Sequence, residues 1–449
     1  MTLKATSNAI TASQGLTWLQ IIRIGLVQTA IGAIVVLTTS TLNRVMVIEI
    51  GLPALVPGLL VTAHYAVQIL RPRWGHGSDG GRRRTPWIIG GMAVLAAGGA
   101  LAAVATALMA SSLAAGIALG VLAFLLIGVG VGAAGTSLLT LLAESASPAR
   151  RAPAATIVWI MMIAGFAITA ISAGKALDPF SLERLIAVTS IVSLIAFAVA
   201  TLAITGIENR VAGGIRVEKK RVDFAAAMRD VWSEPQTRRF TIFVFVSMLA
   251  YNSQDLILEP FAGVVFNMTP GESTQLGGVQ HGGVLVGMIA MALIAWRAGR
   301  RSETHERATL RNGMVYGCLA SAVGMGAVAM GGIVGPTWPI KPAVFALGVA
   351  NGLFAIAAIS SMMALARQGH ADREGVRMGL WGAAQAIAFA LGGLVGTLAV
   401  DAARWALGSP VPAYTIVFFA EALAFVLAAA LGAAVSRKPA PILHQAPAE

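Results

Sequence analysis

Charge is scarce in this chain: only 12% of its 449 residues are Asp, Glu, Lys or Arg, where soluble globular proteins carry about 25%. With 57% hydrophobic residues and a mean hydropathy of +0.78, that scarcity excludes a water-soluble globular protein and a disordered one. Cysteine is almost missing. Cys318 stands alone, so no internal disulfide forms, a disulfide scaffold is excluded, and nothing depends on an oxidising compartment. Acidic residues number 20 against 32 basic ones, a net charge of +12. In a soluble domain this excess suggests a polyanion partner; in a membrane protein it is what cytoplasmic loops carry, so no nucleic acid is expected. The sequence also lacks the short alternating strands of a β-barrel, a Cys/His cluster at metal-ligand spacing, and a polar stretch large enough for catalytic machinery. An enzyme is the least expected class.

What is present is a series of long apolar runs, at about 18–42, 52–70, 86–110, 114–142, 154–173 and 185–207, then 240–261, 276–296, 308–334, 342–366, 378–400 and 412–435. Each is near or above the roughly 20 residues that cross about 30 Å of hydrocarbon. The expectation is an all-α membrane protein with about twelve transmembrane helices. Residues 208–239 form the longest polar stretch, rich in Arg and Lys. It separates an N-terminal six-helix half, 1–207, from a C-terminal half, 240–449, as a cytoplasmic linker with a surface helix expected around 224–232. If odd-numbered connections face outward, they hold only Arg44, Lys175, Arg184, Lys341 and Arg404. The remaining 27 of the 32 basic residues face inward, which places both termini in the cytoplasm. The first run is too long for a signal-peptide core and is expected to remain as a span. Its start at Trp18 reads either as a short interfacial helix or as the first turn of the span.

After the second run, Gly75 is followed by Asp79, two glycines and the basic cluster Arg82, Arg83 and Arg84. This resembles the loop signature of the major facilitator superfamily between its second and third helices, with one residue fewer between Asp79 and the basic cluster. Such a loop needs glycines for a tight turn and an aspartate held by a cation or a helix N-terminus; the alternative is a merely basic turn. Residues 130–135 fit G-x-G-x-x-G, but they lie within an apolar run with no preceding strand, so no nucleotide is expected. Gly128 and Gly132 fit G-x-x-x-G, which permits close helix packing. Trp18, Trp74, Trp87, Trp296, Trp338 and Trp405 all lie near run ends, as an aromatic belt does, while Trp159 with Met161 and Met162 reads as mid-membrane packing.

Three blocks carry a closer resemblance: 23–28 leading to 42–46; 52–57 through 64–68 to 71–75 and 84–88; and Gln254, Asp255, Leu256, Ile257, Leu258, Glu259, Pro260 and Phe261 in the seventh run. Together they look like the PucC and LhaA proteins, the bacteriochlorophyll delivery branch of the major facilitator superfamily. The resemblance implies a multi-pass protein of the bacterial inner, photosynthetic intracytoplasmic membrane that supports assembly of light-harvesting antenna complexes. It implies bacteriochlorophyll as bound or delivered ligand, and antenna polypeptides, the lipid bilayer and pigment-synthesis enzymes as partners. A pigment with an isoprenoid tail partitions into lipid, so a membrane handler with an apolar, laterally open cleft is compatible with that role.

Ionisable groups inside spans are costly, which makes them candidates for function. His64 lies near the middle of the second run with Gln68 one turn on; a neutral imidazole suits the magnesium of a bacteriochlorophyll, so both are candidate pigment contacts. A histidine satisfied by a neighbouring helix is the plainer alternative. Tyr251, Asp255 and Glu259 recur every four residues on one face and, with Arg44 of the first outer connection, form a candidate gate or partner contact. Arg23 and Glu421 are candidate members of the same charge network. A protonation site of a secondary transporter and an ion-paired helix end are the competing readings. Three functions therefore stand: pigment delivery, a proton-coupled transporter of a small amphiphile, and a non-transporting antenna-assembly scaffold.

Overall fold

The computed structural model describes residues 15–68, 83–147, 150–208, 229, 232–366 and 374–435. Among them the regular structure is helical: α1 (Trp18–Glu49), α2 (Leu55–Val67), α3 (Thr85–Met109), α4 (Leu113–Ser145), α5 (Arg151–Leu177), α6 (Leu182–Ile204), α7 (Pro235–Ser253), α8 (Leu258–Phe266), α9 (Pro270–Gly299), α10 (Glu303–Val334), α11 (Ile340–Ala366), α12 (Glu374–Leu407) and α13 (Pro410–Val435). Ten of these helices are long and apolar enough to cross a membrane, α7 and α8 make one further span bent by 42°, and α2 is a shorter apolar helix. All twelve apolar runs are thus met by helix. Apolar side chains such as Leu194, Leu202 and Val323 are exposed, as expected where lipid rather than water is the solvent.

By their contacts the residues fall into two compact units: Met1–Thr38, Val67–Thr169 and Ser181–Arg221 form one, and Thr39–Ala66, Ala170–Phe180 and Val222–Glu449 form the other. In the first unit, Thr17 caps α1 with a reciprocal Thr17–Gln20 box, and the Arg150 guanidinium lies 5.4 Å from the Trp18 ring. Trp18 is therefore the first turn of the span. Glycines let α3 and α4 approach: a Cβ on Gly130 would stand 2.5 Å from the Leu95 backbone nitrogen, and one on Gly91 2.6 Å from that of Ala134. Residues 130–135 are the interior of α4, and the close approach is made at Gly130. Met161 and Met162 pack on α1, where the Thr29 hydroxyl donates to the Met161 carbonyl at 2.8 Å.

In the second unit, α2 begins where Pro53 and Pro57 bracket its first turn, and the Asp401 carboxylate accepts from the Ala54 and Leu55 amides at 3.1 and 2.7 Å. That carboxylate satisfies orphan donors of the helix start, as an N-cap does. The surface helix expected around 224–232 lies, except for Arg229 and Trp232, outside the described residues.

A candidate site at the break between α7 and α8

The second unit concentrates its buried polar groups around a break in the seventh apolar run, and the break follows from one residue. Pro260 has no N–H, so the carbonyl of Leu256, four residues earlier, loses its helical donor. The chain answers with a 3-10 turn at Gln254–Leu256 before α8 begins. The freed Leu256 carbonyl accepts from the Asn43 side-chain amide of α1. Gln254 in the turn is fully buried and neither end of its amide has a partner.

Opposite this break, α1 is irregular too. It passes through π-helical turns at Leu37–Thr41 and Val45–Glu49, which flank Asn43 and Arg44; such insertions are frequent at functional sites. Arg44 is therefore part of the helix and not of an outer loop, with only 2% of its surface exposed. Its guanidinium donates to the Glu49 carboxylate and, at 2.6 Å, to the Met268 carbonyl. It lies within electrostatic reach of Glu259. Glu259 is buried and accepts from Thr274 at 3.4 Å, and Thr274 in turn contacts Thr41 at 3.0 Å. Two glycines make room: a Cβ on Gly263 would stand 3.0 Å from an Arg44 nitrogen, and one on Gly277 3.0 Å from a Glu259 oxygen.

The network expected of Tyr251, Asp255, Glu259, Arg44, Arg23 and Glu421 is thus divided. The 3-10 turn changes the helical phase between Asp255 and Glu259, so the four-residue repeat does not hold them on one face. Glu259 goes with Arg44. Asp255 is in electrostatic reach of Tyr251 and of Glu421 on α13. Both Glu421 oxygens are buried without a hydrogen-bond partner. Arg23 belongs to neither group: in the first unit it donates to the carbonyls of Leu202, Ala203 and Thr205 at the end of α6, where a cation meets the negative end of the helix dipole.

His64 is 1% exposed, its ring 4.7 Å from Tyr65, which stands 5.9 Å from Phe389. Gln68 is also buried. A pigment ring reaches His64 only if these neighbours move. Of the expected conformational loop, Gly75, Asp79 and Arg82 lie outside the described residues, and Arg83 is exposed. Arg84 is buried and makes a two-pronged pair with Glu144, at 3.0 and 2.8 Å. Its backbone amide and the Thr85 amide donate to Glu208 at 2.6 and 2.9 Å.

Sequence reasoning missed Asn43, Thr274, Asp401, Glu144 and Glu208. The available signals were a polar pair, Asn43 and Arg44, followed at once by apolar Val45, Met46, Val47 and Ile48, and Pro260 inside a predicted span. Among the described residues no three His, Cys, Asp or Glu side chains gather as a metal site would require.

The fold is shared with solved transporters. Over 94% of this chain and all of that one, the nucleoside transporter NupG matches with a TM-score of 0.68 at 13% identity. A bacterial homologue of the human peptide transporters matches over 93% and 97% with a TM-score of 0.66 at 16% identity. At such identities the likeness is one of fold, the major facilitator type. In sequence, the chain is 51% identical over 94% of its length, and 96% of the relative's, to a Rhodobacter capsulatus protein named bacteriochlorophyll synthase 44.5 kDa chain. It is 29% identical to protein PucC of Cereibacter sphaeroides over 84% of this chain and 82% of that one. A family model described as PUCC protein matches residues 41–439, and the chain, a multi-pass bacterial membrane protein, belongs to that family.

Proposed function

We propose that this protein is an assembly factor for light-harvesting antenna complexes that binds bacteriochlorophyll and delivers it to antenna polypeptides, without itself catalysing a reaction. The observation that carries this reading is the near full-length 51% identity to a relative named for bacteriochlorophyll, joined to the PucC name of a further relative. The physical support is that the cargo is lipid-soluble and the protein is predominantly apolar, with 57% hydrophobic residues. In this reading the protein sits in the photosynthetic intracytoplasmic membrane with both termini in the cytoplasm, as its 27 inward-assigned basic residues favour. Antenna polypeptides and pigment-synthesis enzymes are its partners. His64 and Gln68 contact pigment once the Tyr65 ring swings away, and Arg44, Tyr251, Asp255 and Glu259 shape the gate or partner contact.

The test is purification in a gentle detergent followed by an absorption spectrum and identification of co-purifying proteins. Near-infrared pigment bands together with antenna subunits are expected, and His64→Leu lowers pigment content without lowering protein level. Antenna subunits with no pigment would overturn delivery in favour of a scaffold. A second reading, a proton-coupled transporter of a small amphiphile, is favoured by the transporter fold and the buried acids. It requires uptake into vesicles that depends on an imposed pH gradient.

A further inference from the structure

We propose that Glu421 is a proton-binding site beside the break of the seventh span, carrying the proton itself, with Asp255 of that break as the like charge it answers to. The inference holds whether the cargo is a pigment or another amphiphile.

The argument starts from the face of α13. Tyr414, Phe418, Glu421 and Phe425 follow one another at intervals of three and four residues, and all four are buried. Around this face lie aromatic rings: Phe261 is 5.0 Å from Phe418, Phe354 is 5.9 Å from Phe425, and Tyr251 is 6.1 Å from Phe354. A single carboxyl is therefore set in an apolar wall, only 7% exposed, with no hydrogen bond to either oxygen. An ionised carboxylate in that setting lacks the donors or cation that make burial tolerable.

Among the described residues, the cations on the elements packed against α13 sit at the helix ends and none pairs with Glu421. On α7 and its terminal turn, Arg238 and Arg239 are exposed at the helix start, where Arg239 donates to the Ala434 carbonyl near the end of α13, and the titratable groups toward the break are Tyr251 and Asp255; on α8 there is Glu259, which accepts from Thr274 and lies within electrostatic reach of Arg44. On α10, Arg307 pairs with Glu303 at the exposed start of the helix, Arg311 is exposed there too, Tyr316 is 64% exposed, and Cys318 is buried. On α12, buried Arg377 near the start pairs with Glu234, no titratable residue occurs from Met378 to Val400, and Asp401 and Arg404 follow, near Tyr414, at the end where Asp401 holds α2. On α11, Lys341 is exposed at the first turn.

The charged group within reach of Glu421 is thus Asp255, of the same sign. A carboxylate that is buried without donors and within reach of a second negative charge is disfavoured on both counts, so Glu421 keeps its proton. Asp255 is partly exposed and Glu421 is not, which leaves the charge on Asp255 and the proton on Glu421. The site has a mechanical consequence. Asp255 stands in the 3-10 turn where the span bends by 42°, so loss of the proton sets two like charges against each other across that turn and α13. Relief comes by separating them, so the bend reports the proton.

Infrared spectroscopy of the purified full-length protein in H2O and D2O tests this. At neutral pH the wild type is expected to show a protonated-carboxyl band that moves to lower frequency in D2O. Glu421→Gln, nearly isosteric, is expected to remove one carboxyl equivalent of that band. Asp255→Asn removes the like charge, so the remaining band should vanish at a lower pH than in the wild type, by on the order of one pH unit. Sodium added at constant pH should leave the band unchanged. A band undiminished in Glu421→Gln, no shift in Asp255→Asn, or displacement of the band by sodium would each overturn the site. Should Glu421→Gln not fold, the Asp255→Asn shift alone decides.

Discussion

The helix pair α3–α4 in one unit and the pair α8–α13 in the other solve the same problem, two apolar helices in contact, by different means. In α3–α4 the backbones touch at Gly91, Gly98 and Gly130, and the pair is closed at one end by buried Arg84, whose side chain is matched by Glu144 and whose backbone is matched by Glu208. In α8–α13 the contact is made of large rings, Phe261 against Tyr414 and Phe418, and α13 also carries Glu421, whose oxygens have no partner. Without water to drive association, close packing and satisfied hydrogen bonds stabilise a membrane helix pair. The first arrangement uses both. The second leaves a polar group unsatisfied inside a well-packed wall, and a group that contributes nothing to packing at that cost is free to serve chemistry.

The contrast can be broken at four points. Gly130→Leu should have the largest effect: the new side chain meets backbone atoms of Gly91 and Leu95, which cannot yield as a flexible side chain does. A loss of about 3 kcal/mol, the upper range for overpacking, is expected in thermal unfolding in detergent; an unchanged Tm would mean that α3 and α4 are further apart than described. Arg84→Ala comes next, at about 2 kcal/mol. A broken buried pair costs more, but Glu144 is 56% exposed and water compensates it. Arg84→Lys should recover part of the loss but not the two-pronged geometry.

Phe418→Leu removes an edge-to-face contact with Phe261 while keeping most of the apolar volume, and about 1 kcal/mol of destabilisation is expected by the same measurement. Glu421→Met should have the smallest effect, within about 0.5 kcal/mol of wild type or slightly stabilising, because a partnerless buried acid is replaced by an apolar chain of similar size. A large destabilisation by Glu421→Met would erase the distinction between the two helix pairs, since it would mean that Glu421 is as fully bonded as Arg84.

Much of this was legible in the sequence, and the parts that were not share a cause. The spans could be read because bilayer thickness sets their length and each run announces itself locally. The family blocks also lie in short contiguous stretches. His64, Arg44 and Asp255 stood out because polar groups are rare in such runs. Their partners did not: Arg84 and Glu144 are 60 residues apart, Leu55 and Asp401 are 346 apart, and no periodicity connects them. The four-residue spacing of Tyr251, Asp255 and Glu259 suggested one face because a regular helix was assumed. Pro260 carried the warning, since a residue without an N–H leaves a carbonyl open one turn earlier.

The sequence by itself determined that this is a helical, multi-pass membrane protein of the PUCC family, because apolar length, scarcity of charge and local motifs are properties of contiguous residues. The tertiary structure decided which buried polar groups are satisfied and which are not. That Arg44 pairs with Glu49 within electrostatic reach of Glu259, and that Glu421 finds no hydrogen-bond partner, depends on where a bent span and an irregular first helix bring distant side chains. In hydrocarbon, where an unmet charge has no water to turn to, that placement separates groups that hold the fold from groups left to act.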